Sequence, residues 1–433
     1  MTKKSILFTL LVGQTFLWTG SAFLSVLYRL YGVYAPVQAL LFTEVLYYIL
    51  QAAGIAAFAL LLRRRPGIAG SRRFAAWSVA AAGVFTAIAL LCKSAAVIAV
   101  SGGLMNLCVG LLSGVYLTRL ASGVPQQCRG RVFGYSHAIG SVGSFLLSLP
   151  GGGTFLRTDG ALWVFAGLVL ISLALIRYLE PITVMPEEQP GLPRGDKKLI
   201  LIALCVPLAC SVVSGMGGYF TAADIPRMLN PAFPRAFYAV GLIAAGYIND
   251  KDRRMGAVCC AAALIFPFLG LALRHEVGLA VVLSIVSYIF YGFFSVYRVV
   301  LFADIAGKSS SLLPLAVFGL MAGRVGDALG TLGGAALSEN QAVLICLNAV
   351  GFAAAILLVF ALYQKLYMAP LPERQNTEAL LNAYEGRYKF TPRQCEIFRL
   401  VVKGCSNAEI SDQLFLAEST VKFHVKNILK LTG

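Results

Sequence analysis

Residues 391–430 read TPRQCEIFRLVVKGCSNAEISDQLFLAESTVKFHVKNILK and contain the strongest local structural signals in the chain. Two Ser/Thr-x-x-Glu/Gln capping boxes open helices here: Thr391 with Gln394, and Ser406 with Glu409. Pro392 suits the first helical position, and Gly404 suits the left-handed residue that ends a helix. The spacing therefore predicts two short helices joined by a glycine turn, with a third helix after them.

The third helix is predicted from Ala417 or Ser419 to Lys430. Four apolar residues are expected on its core side: Val421, Val425, Ile428 and Leu429. Four others point away from that stripe: Lys422, Phe423, Lys426 and Asn427. This order of helices is typical of a helix-turn-helix, whose last helix enters the DNA major groove, where lysine donates to guanine acceptors. Thr420, near the helix start, is expected to bond a phosphate.

The pattern T-P-R…G-x-S-N-x-E-I…T-V-K-x-H-x-x-N-I-L resembles the LuxR-type regulator DNA-binding domain across residues 390–433. The resemblance implies binding to double-stranded DNA as a homodimer. It places base contacts on Lys422, Phe423 and Lys426, with Thr420 near the backbone. Phe423 and Ala417 depart from the family's small apolar residue and capping serine. The family's fourth helix is expected to be absent, because the chain stops at Gly433. The alternative for this segment is a helical tail that binds protein.

The composition indicates a protein that is mostly embedded in a membrane. Hydrophobic residues make up 58% and charged residues 13%, against about 25% charged in a soluble domain. The net charge is +16, but from Glu373 onward nine basic residues face seven acidic ones. Most of the positive charge therefore reflects membrane topology and not nucleic acid. The scattered cysteines fit neither a zinc site nor a disulfide framework.

Twelve stretches are apolar enough to be candidate transmembrane helices, with the fifth and eighth the weakest. They are 6–28, 36–62, 74–92, 95–118, 132–149, 161–179, 199–220, 236–249, 256–273, 277–303, 312–337 and 341–364. The predicted fold is therefore all-α. It is a twelve-helix polytopic bundle of two six-helix halves, residues 1–180 and 199–365. A proline-rich linker at 181–198 separates the halves, and a second linker, 366–389, leads to the helix-turn-helix.

The distribution of Lys and Arg predicts the orientation. With a cytoplasmic N-terminus, the cytoplasmic loops hold nineteen Lys and Arg and the opposite loops hold six. Basic residues favour the cytoplasmic side. An even number of helices returns the C-terminus to the same side. We therefore expect a multi-pass protein of the inner (cytoplasmic) membrane with both termini in the cytoplasm.

The membrane part resembles the major facilitator superfamily. It has the six-plus-six layout, the charged central linker and the loop pattern G-x-x-x-D-[RK]-x-x-[RK], here Gly246, Asp250, Lys251, Arg253 and Arg254. The segment Arg129–Gly134, which leads into further glycines, is similar to the start of that superfamily's fifth helix. The first half carries Arg63–Arg65 instead of the corresponding loop motif. The resemblance implies the fold but does not establish transport.

Ionisable groups inside spans are costly and are candidate functional residues. Five are singled out: Arg324, Asp327, Arg298, Glu44 and His137. Arg324 and Asp327 are spaced to pair on one helix. Arg324 is the best candidate for contacting an anionic ligand or for pairing with Glu44 across the halves. The alternative is an internal salt bridge that holds helices together, and for His137 a packing role.

Two functions remain open on the sequence. One is a membrane-bound one-component regulator whose transporter-like domain senses a small ligand or membrane state. The other is an active secondary transporter with a regulatory tail that binds DNA or protein. No kinase, nucleotide-loop, nucleophile or metal motif is present in the sequence. No catalytic residue and no cofactor are therefore predicted, and the protein is not expected to be an enzyme.

Overall fold

The computed structural model describes residues 2–150, 154–179, 197–224, 233–273, 277–367 and 377–432. Every regular element within these ranges is helical, which confirms the predicted all-α class. The chain divides into two compact units, Met1–Gln364 and Lys365–Gly433. The linker predicted at 181–198 lies outside the described residues up to position 196. Positions 368–376 of the second linker also lie outside them.

The first unit is built from long helices that occupy all twelve predicted stretches. In the first half these are α1 (Lys3–Tyr31), α2 (Pro36–Arg64), α3 (Arg72–Leu91), α4 (Ala95–Gly123), α5 (Arg129–Ser148) and α6 (Gly160–Ile176). In the second half they are α7 (Lys197–Asp224), α8 (Phe233–Lys251), α9 (Arg253–Ala272), α10 (Val277–Ala306), α11 (Ser310–Ala336) and α12 (Gln341–Tyr367).

Three of these helices depart from regular α geometry, and one of them, α11, begins with a 3-10 segment, Ser310–Val317. A π-helical turn, Leu41–Leu46, lies inside α2. The ninth stretch, predicted as one helix, is interrupted at Leu264, where Arg253–Ala263 ends and Ile265–Ala272 begins. Pro267 explains the break, because its ring clashes with the carbonyl four residues earlier and it has no N–H to donate.

Nine helices among the described residues are long and apolar enough to cross a membrane. The other three are α5, α6 and α8. Helix α6 has only 17 residues, and α5 and α8 are rich in small and polar residues. These last two pack against each other across the halves. A Cβ atom on Gly130 would lie 2.6 Å from the carbonyl oxygen of Gly246. Such close approach requires glycine, which lowers the hydropathy of both helices.

The second unit contains α13 (Thr377–Tyr388), α14 (Pro392–Val402), α15 (Asn407–Leu414) and α16 (Glu418–Thr432). Both predicted capping boxes are present: Thr391 caps α14 with Gln394, and Ser406 caps α15 with Glu409. Gly404 has the expected positive φ, 86°. The backbone amide and hydroxyl of Ser406 hold the pKa of Glu409 below its usual range. The local rules therefore fix the ends of these helices.

Three helices enclose a small core of Ile397, Ile410, Val421 and Ile428. Val425 packs against this core, as predicted. The prediction for Leu429 is wrong, because its side chain is 64% exposed. Residues 421, 425 and 428 share one helical face, whereas position 429 is rotated about 100° further around the helix.

Replacing Thr391 with Ala should loosen the second unit, since loss of a helix N-cap costs about 1 kcal/mol. Amide exchange in α14 of the detergent-solubilised full chain should then rise about fivefold. Ser419→Ala, at an exposed position in the first turn of α16, is the control and should leave exchange unchanged. Equal exchange in the Thr391 variant and the wild type would show that the cap does not stabilise the unit.

Candidate nucleic-acid interface and membrane cavity

The outward face of α16 presents three exposed side chains: Lys422, Phe423 and Lys426. Lys422 forms an exposed ion pair with Glu418, 2.8 Å between Nζ and Oε1. Thr420 and Asn427 are half-buried at the edges of this face, and so is His424, whose ring contacts that of Phe423. The five residues predicted to contact DNA therefore lie together on one helix, with two lysines one turn apart.

Phe415 is a surface feature that the sequence reasoning missed. It lies in the turn between α15 and α16, with φ of 53°, and its side chain is 94% exposed. The left-handed conformation costs a bulky residue roughly 1–2 kcal/mol. Its place before α16 adds an aromatic side chain beside the start of that helix. The signal in the sequence was a large apolar residue between the two predicted helices.

Helix α13 occupies residues that the sequence assigned to the linker before the helix-turn-helix. Arg399 on α14 donates hydrogen bonds to two side chains of α13. Its Nε lies 2.7 Å from Oε1 of Glu385, and its Nη2 lies 2.6 Å from Oδ1 of Asn382. The Arg399 guanidinium holds the pKa of Glu385 below its usual range. The rings of Tyr384 and Phe398 stack at 6.1 Å. Helix α13 is therefore part of the folded unit.

In the first unit, five charged residues tie α5 to α8, α9 and α10; we call them the junction cluster. They are Arg129, Arg131, Asp250, Arg253 and Asp304. Asp250 accepts hydrogen bonds from the backbone amides of Gly130, 2.7 Å, and Arg131, 2.9 Å. Its carboxylate thus binds the first amides of a helix from the other half, where the helix dipole favours negative charge.

Asp304 completes the junction cluster from α10. One oxygen lies 2.9 Å from Nη1 of Arg129, and the other lies 2.7 Å from Nε of Arg253. Within the predicted loop motif, Gly246, Asp250 and Arg253 take part in the contact between halves. Lys251 and Arg254 are exposed instead. The motif therefore joins the two halves and does not only form a loop.

A cavity of about 310 Å³ lies between the halves, and all five intramembrane candidates line it. Asp327 lies 3.6 Å from Arg298 and 3.7 Å from Arg324. Arg324 thus has the i,i+3 neighbour that its sequence spacing suggested. Its guanidinium also lies 4.5 Å from the ring centre of Tyr48 on α2, in the other half. The lining of the cavity therefore includes a contact between the two halves, formed by Tyr48 and Arg324.

Glu44 and His137 line the same cavity from the first half. Glu44 lies in the π-helical turn of α2. The ring of His137 packs between Phe16 and Phe133, at centroid distances of 3.8 and 4.3 Å. Its Nδ1 is buried and has no hydrogen-bond partner among the described residues. His137 is therefore packed against aromatic rings, and it also borders the open space.

The comparison with protein families bears on the second unit. Residues 389–431 match the GerE family, described as bacterial regulatory proteins of the luxR family. Residues 389–431 of the second unit form a LuxR-type DNA-binding domain. The match spans α14, α15 and α16, and so includes all five residues predicted to contact DNA.

The fold of the first unit is that of major facilitator transporters. The human organic anion transporter MFSD10 (TETRAN) superposes with a TM-score of 0.64 at 12% identity, covering 83% of this chain and 100% of that one. A variant of the E. coli fucose:proton symporter FucP gives 0.58 at 12% identity, covering 83% and 99%. At this identity the likeness establishes the fold alone. A search of curated proteins gave no match to the chain. The protein therefore joins a LuxR-type domain to a multi-pass membrane unit.

Lys422→Ala and Lys426→Ala should each weaken DNA binding by the LuxR-type domain, because each removes a positive charge from its exposed face. A phosphate-contacting lysine contributes about 0.9 to the slope of log affinity against log salt. Fluorescence anisotropy with the full chain and a labelled duplex, at several salt concentrations, measures this. Lys403→Ala, exposed at the end of α14, is the matched control. If both variants bind like the control, α16 does not face DNA.

Proposed function

We propose that the protein is a membrane-bound, one-component transcription regulator of the inner (cytoplasmic) membrane. In it, the membrane unit senses a small ligand or membrane state and controls the LuxR-type domain. One observation carries the proposal: a single chain contains both a LuxR-type DNA-binding domain and a membrane unit with a cavity between its halves. DNA recognition is assigned to Thr420, Lys422, Phe423, Lys426 and Asn427.

The charge distribution supports a cytoplasmic position for both termini. Nineteen Lys and Arg fall in loops on the side of the N-terminus, and six fall on the other side. This bias exceeds what random placement would give and follows the positive-inside rule. The LuxR-type domain would then lie in the compartment that holds the DNA. Binding as a homodimer stays a prediction, and a footprint with two half-sites one helical turn apart would support it.

Regulation requires a ligand that binds two conformations with different affinity. The cavity is lined by both halves, with Gln51 and Asn106 from the first and Arg298 and Asp327 from the second. A change in the angle between the halves therefore changes the cavity and its affinity. The junction cluster opposes such a change at one end of the bundle. The cavity and the junction cluster are the parts of the membrane unit in which the two states of the proposal would differ.

Chromatin immunoprecipitation with sequencing, using the full chain at native level, tests the proposal. Discrete genomic sites should be recovered, and a reporter placed behind one of them should respond to the chain. The double variant Lys422→Ala, Lys426→Ala should lose both occupancy and reporter response, whereas Lys403→Ala should retain them. An unchanged reporter in the double variant would overturn the proposal.

A second candidate, an active secondary transporter with a regulatory tail, is favoured by the two solved structures, both of them transporters. Proteoliposome uptake separates the two functions, because a pure sensor binds its ligand without net flux. Uptake that depends on Arg324 or Glu44 would favour the transporter. Occupancy and regulation without uptake would favour the sensor.

Asp250→Asn should shift reporter output even without added ligand, because it removes the charge that holds the start of α5. We expect a several-fold change, since removing one member of a buried charged network is strongly destabilising. Asp252→Asn is a matched control: Asp252 lies two residues away, is exposed, and caps only its own helix. Membrane levels of each variant are checked by immunoblot. Equal output from both variants would exclude the junction cluster from the switch.

A further inference from the structure

The polar centre of the cavity contains two cations that share one carboxylate. Asp327 accepts a hydrogen bond from Tyr291, 3.1 Å between oxygens, and faces Arg298 and Arg324 through the same Oδ2 atom. Both arginine contacts exceed 3.5 Å, so neither is a close bidentate pair. The side chains of Arg298 and Asp327 are 3% and 8% exposed. On α10 and α11, two guanidinium groups therefore face a single carboxylate, and Arg298 and Asp327 are largely removed from water.

Each arginine also has an unused hydrogen-bond donor. The Nε atoms of Arg298 and Arg324 are buried and have no partner among the described residues. Arg298 directs its other nitrogens to Ser211, 3.2 Å, and Tyr291, 3.5 Å. A buried, unsatisfied donor is costly. A group that accepts from two guanidinium edges and carries negative charge would satisfy both the donors and the charge.

Several of the other side chains around this centre are aromatic. Tyr48 covers the face of Arg324, and Phe294 lies 4.8 Å from the guanidinium carbon of Arg298. Tyr238 and Tyr291 line the same cavity, with ring centres 5.7 Å apart. Tyrosine rings that line a cavity offer faces and edges on which an aromatic ligand can stack.

Glu44 also lines the cavity, from α2, and its charge disfavours an anion near it. Arg298 and Arg324, on α10 and α11, are the part of the lining that favours an anion. A ligand with a single anionic group at one end satisfies this arrangement. A ligand with negative charge at both ends does not.

We propose that the cavity binds a small aromatic carboxylate, with its carboxylate between Arg298 and Arg324 and its ring against the tyrosines. This inference rests on the proposed function only in treating the cavity as the ligand site. It adds the chemical class of the ligand, and it holds equally for a sensor and a transporter.

The test uses the purified full chain in detergent and three probes that share one ring system: 2-naphthoate, 2-naphthamide and 2-naphthylmethylamine. Binding is measured by isothermal titration calorimetry. The carboxylate should bind at least about tenfold more tightly than the neutral amide and the cationic amine, as expected when one charged hydrogen bond is made. Acetate, which lacks the ring, should bind more weakly than 2-naphthoate.

Variants locate the site. Arg324→Gln should weaken 2-naphthoate at least about tenfold, whereas the amide should be little affected. Arg157→Gln is the matched control, since Arg157 lies over Tyr28 in a similar contact of 4.6 Å but does not line the cavity. Asp327→Asn removes the competing carboxylate, and should therefore tighten 2-naphthoate binding. A purely structural role for Asp327 predicts the opposite sign.

Equal affinity for the three probes, or no binding of the carboxylate, would overturn the inference. So would carboxylate binding that Arg324→Gln leaves unchanged. These outcomes differ from failure of the proposed function, because the assay contains no DNA. A chain that binds 2-naphthoate at Arg324 but controls no gene would preserve this inference and overturn the regulator. Gene control without carboxylate selectivity would do the reverse.

Discussion

Asp250 lies in the last turn of α8 and accepts hydrogen bonds from the first amides of α5. One carboxylate therefore caps the N-terminus of a helix in the opposite half. A helix start leaves amides without partners, and at Gly130 and Arg131 these partners come from across the interface. Arg129, Arg253 and Asp304 extend the contact into α10. The position of α5 against α8 therefore depends on a charge at one end of the bundle. Because α5 and α8 belong to different halves, that charge also helps set the space between the halves.

The LuxR-type domain is attached to a unit whose fold, in the solved structures it resembles, belongs to transporters. The helices of the LuxR-type domain have few fully buried side chains: Ile397, Ile410, Val421 and Ile428 form the core. This core is small even with the partly buried side chains packed around it, and the cap residues and the contacts of α13 therefore matter more than they would in a larger domain. Arg399 is central here, because it joins α13 to α14 through two side chains at once.

The features that local rules control could be predicted from the sequence. Thr391, Gly404 and Ser406 mark helix ends through interactions with residues three or four positions away, and the structure has them where expected. The Arg324–Asp327 neighbourhood follows from one turn of helix. The face of Leu429 was predicted wrongly, because a difference of one position changes the helical face by about 100°. The low hydropathy of α5 and α8 could be seen in the sequence. Its cause, the close packing of the two helices at their glycines, could not.

Contacts between distant segments could not be predicted. Arg298 shares Asp327 with Arg324, and Tyr48 covers Arg324 from the other half, only because the fold brings α2, α10 and α11 together at one cavity. The charge imbalance at that wall is a property of the assembled site. In the same way, Asp250 was recognised as part of a loop motif, whereas its partners on α5 lie about 120 residues earlier in the chain.

The glycine contacts between α5 and α8 have a mechanical consequence. In most helix pairs, the side chains of one helix pack into the grooves of the other. A change of crossing angle must then move those side chains out of the grooves. At Gly130, Gly134 and Gly246 the backbones of α5 and α8 come so close that a Cβ atom would meet a backbone oxygen or carbon of the other helix. A change of crossing angle would therefore disturb few side-chain rotamers along this stretch. Two contacts flank this stretch: the ionic groups of the junction cluster at one end, and the rings of Phe145 and Phe233 at the other.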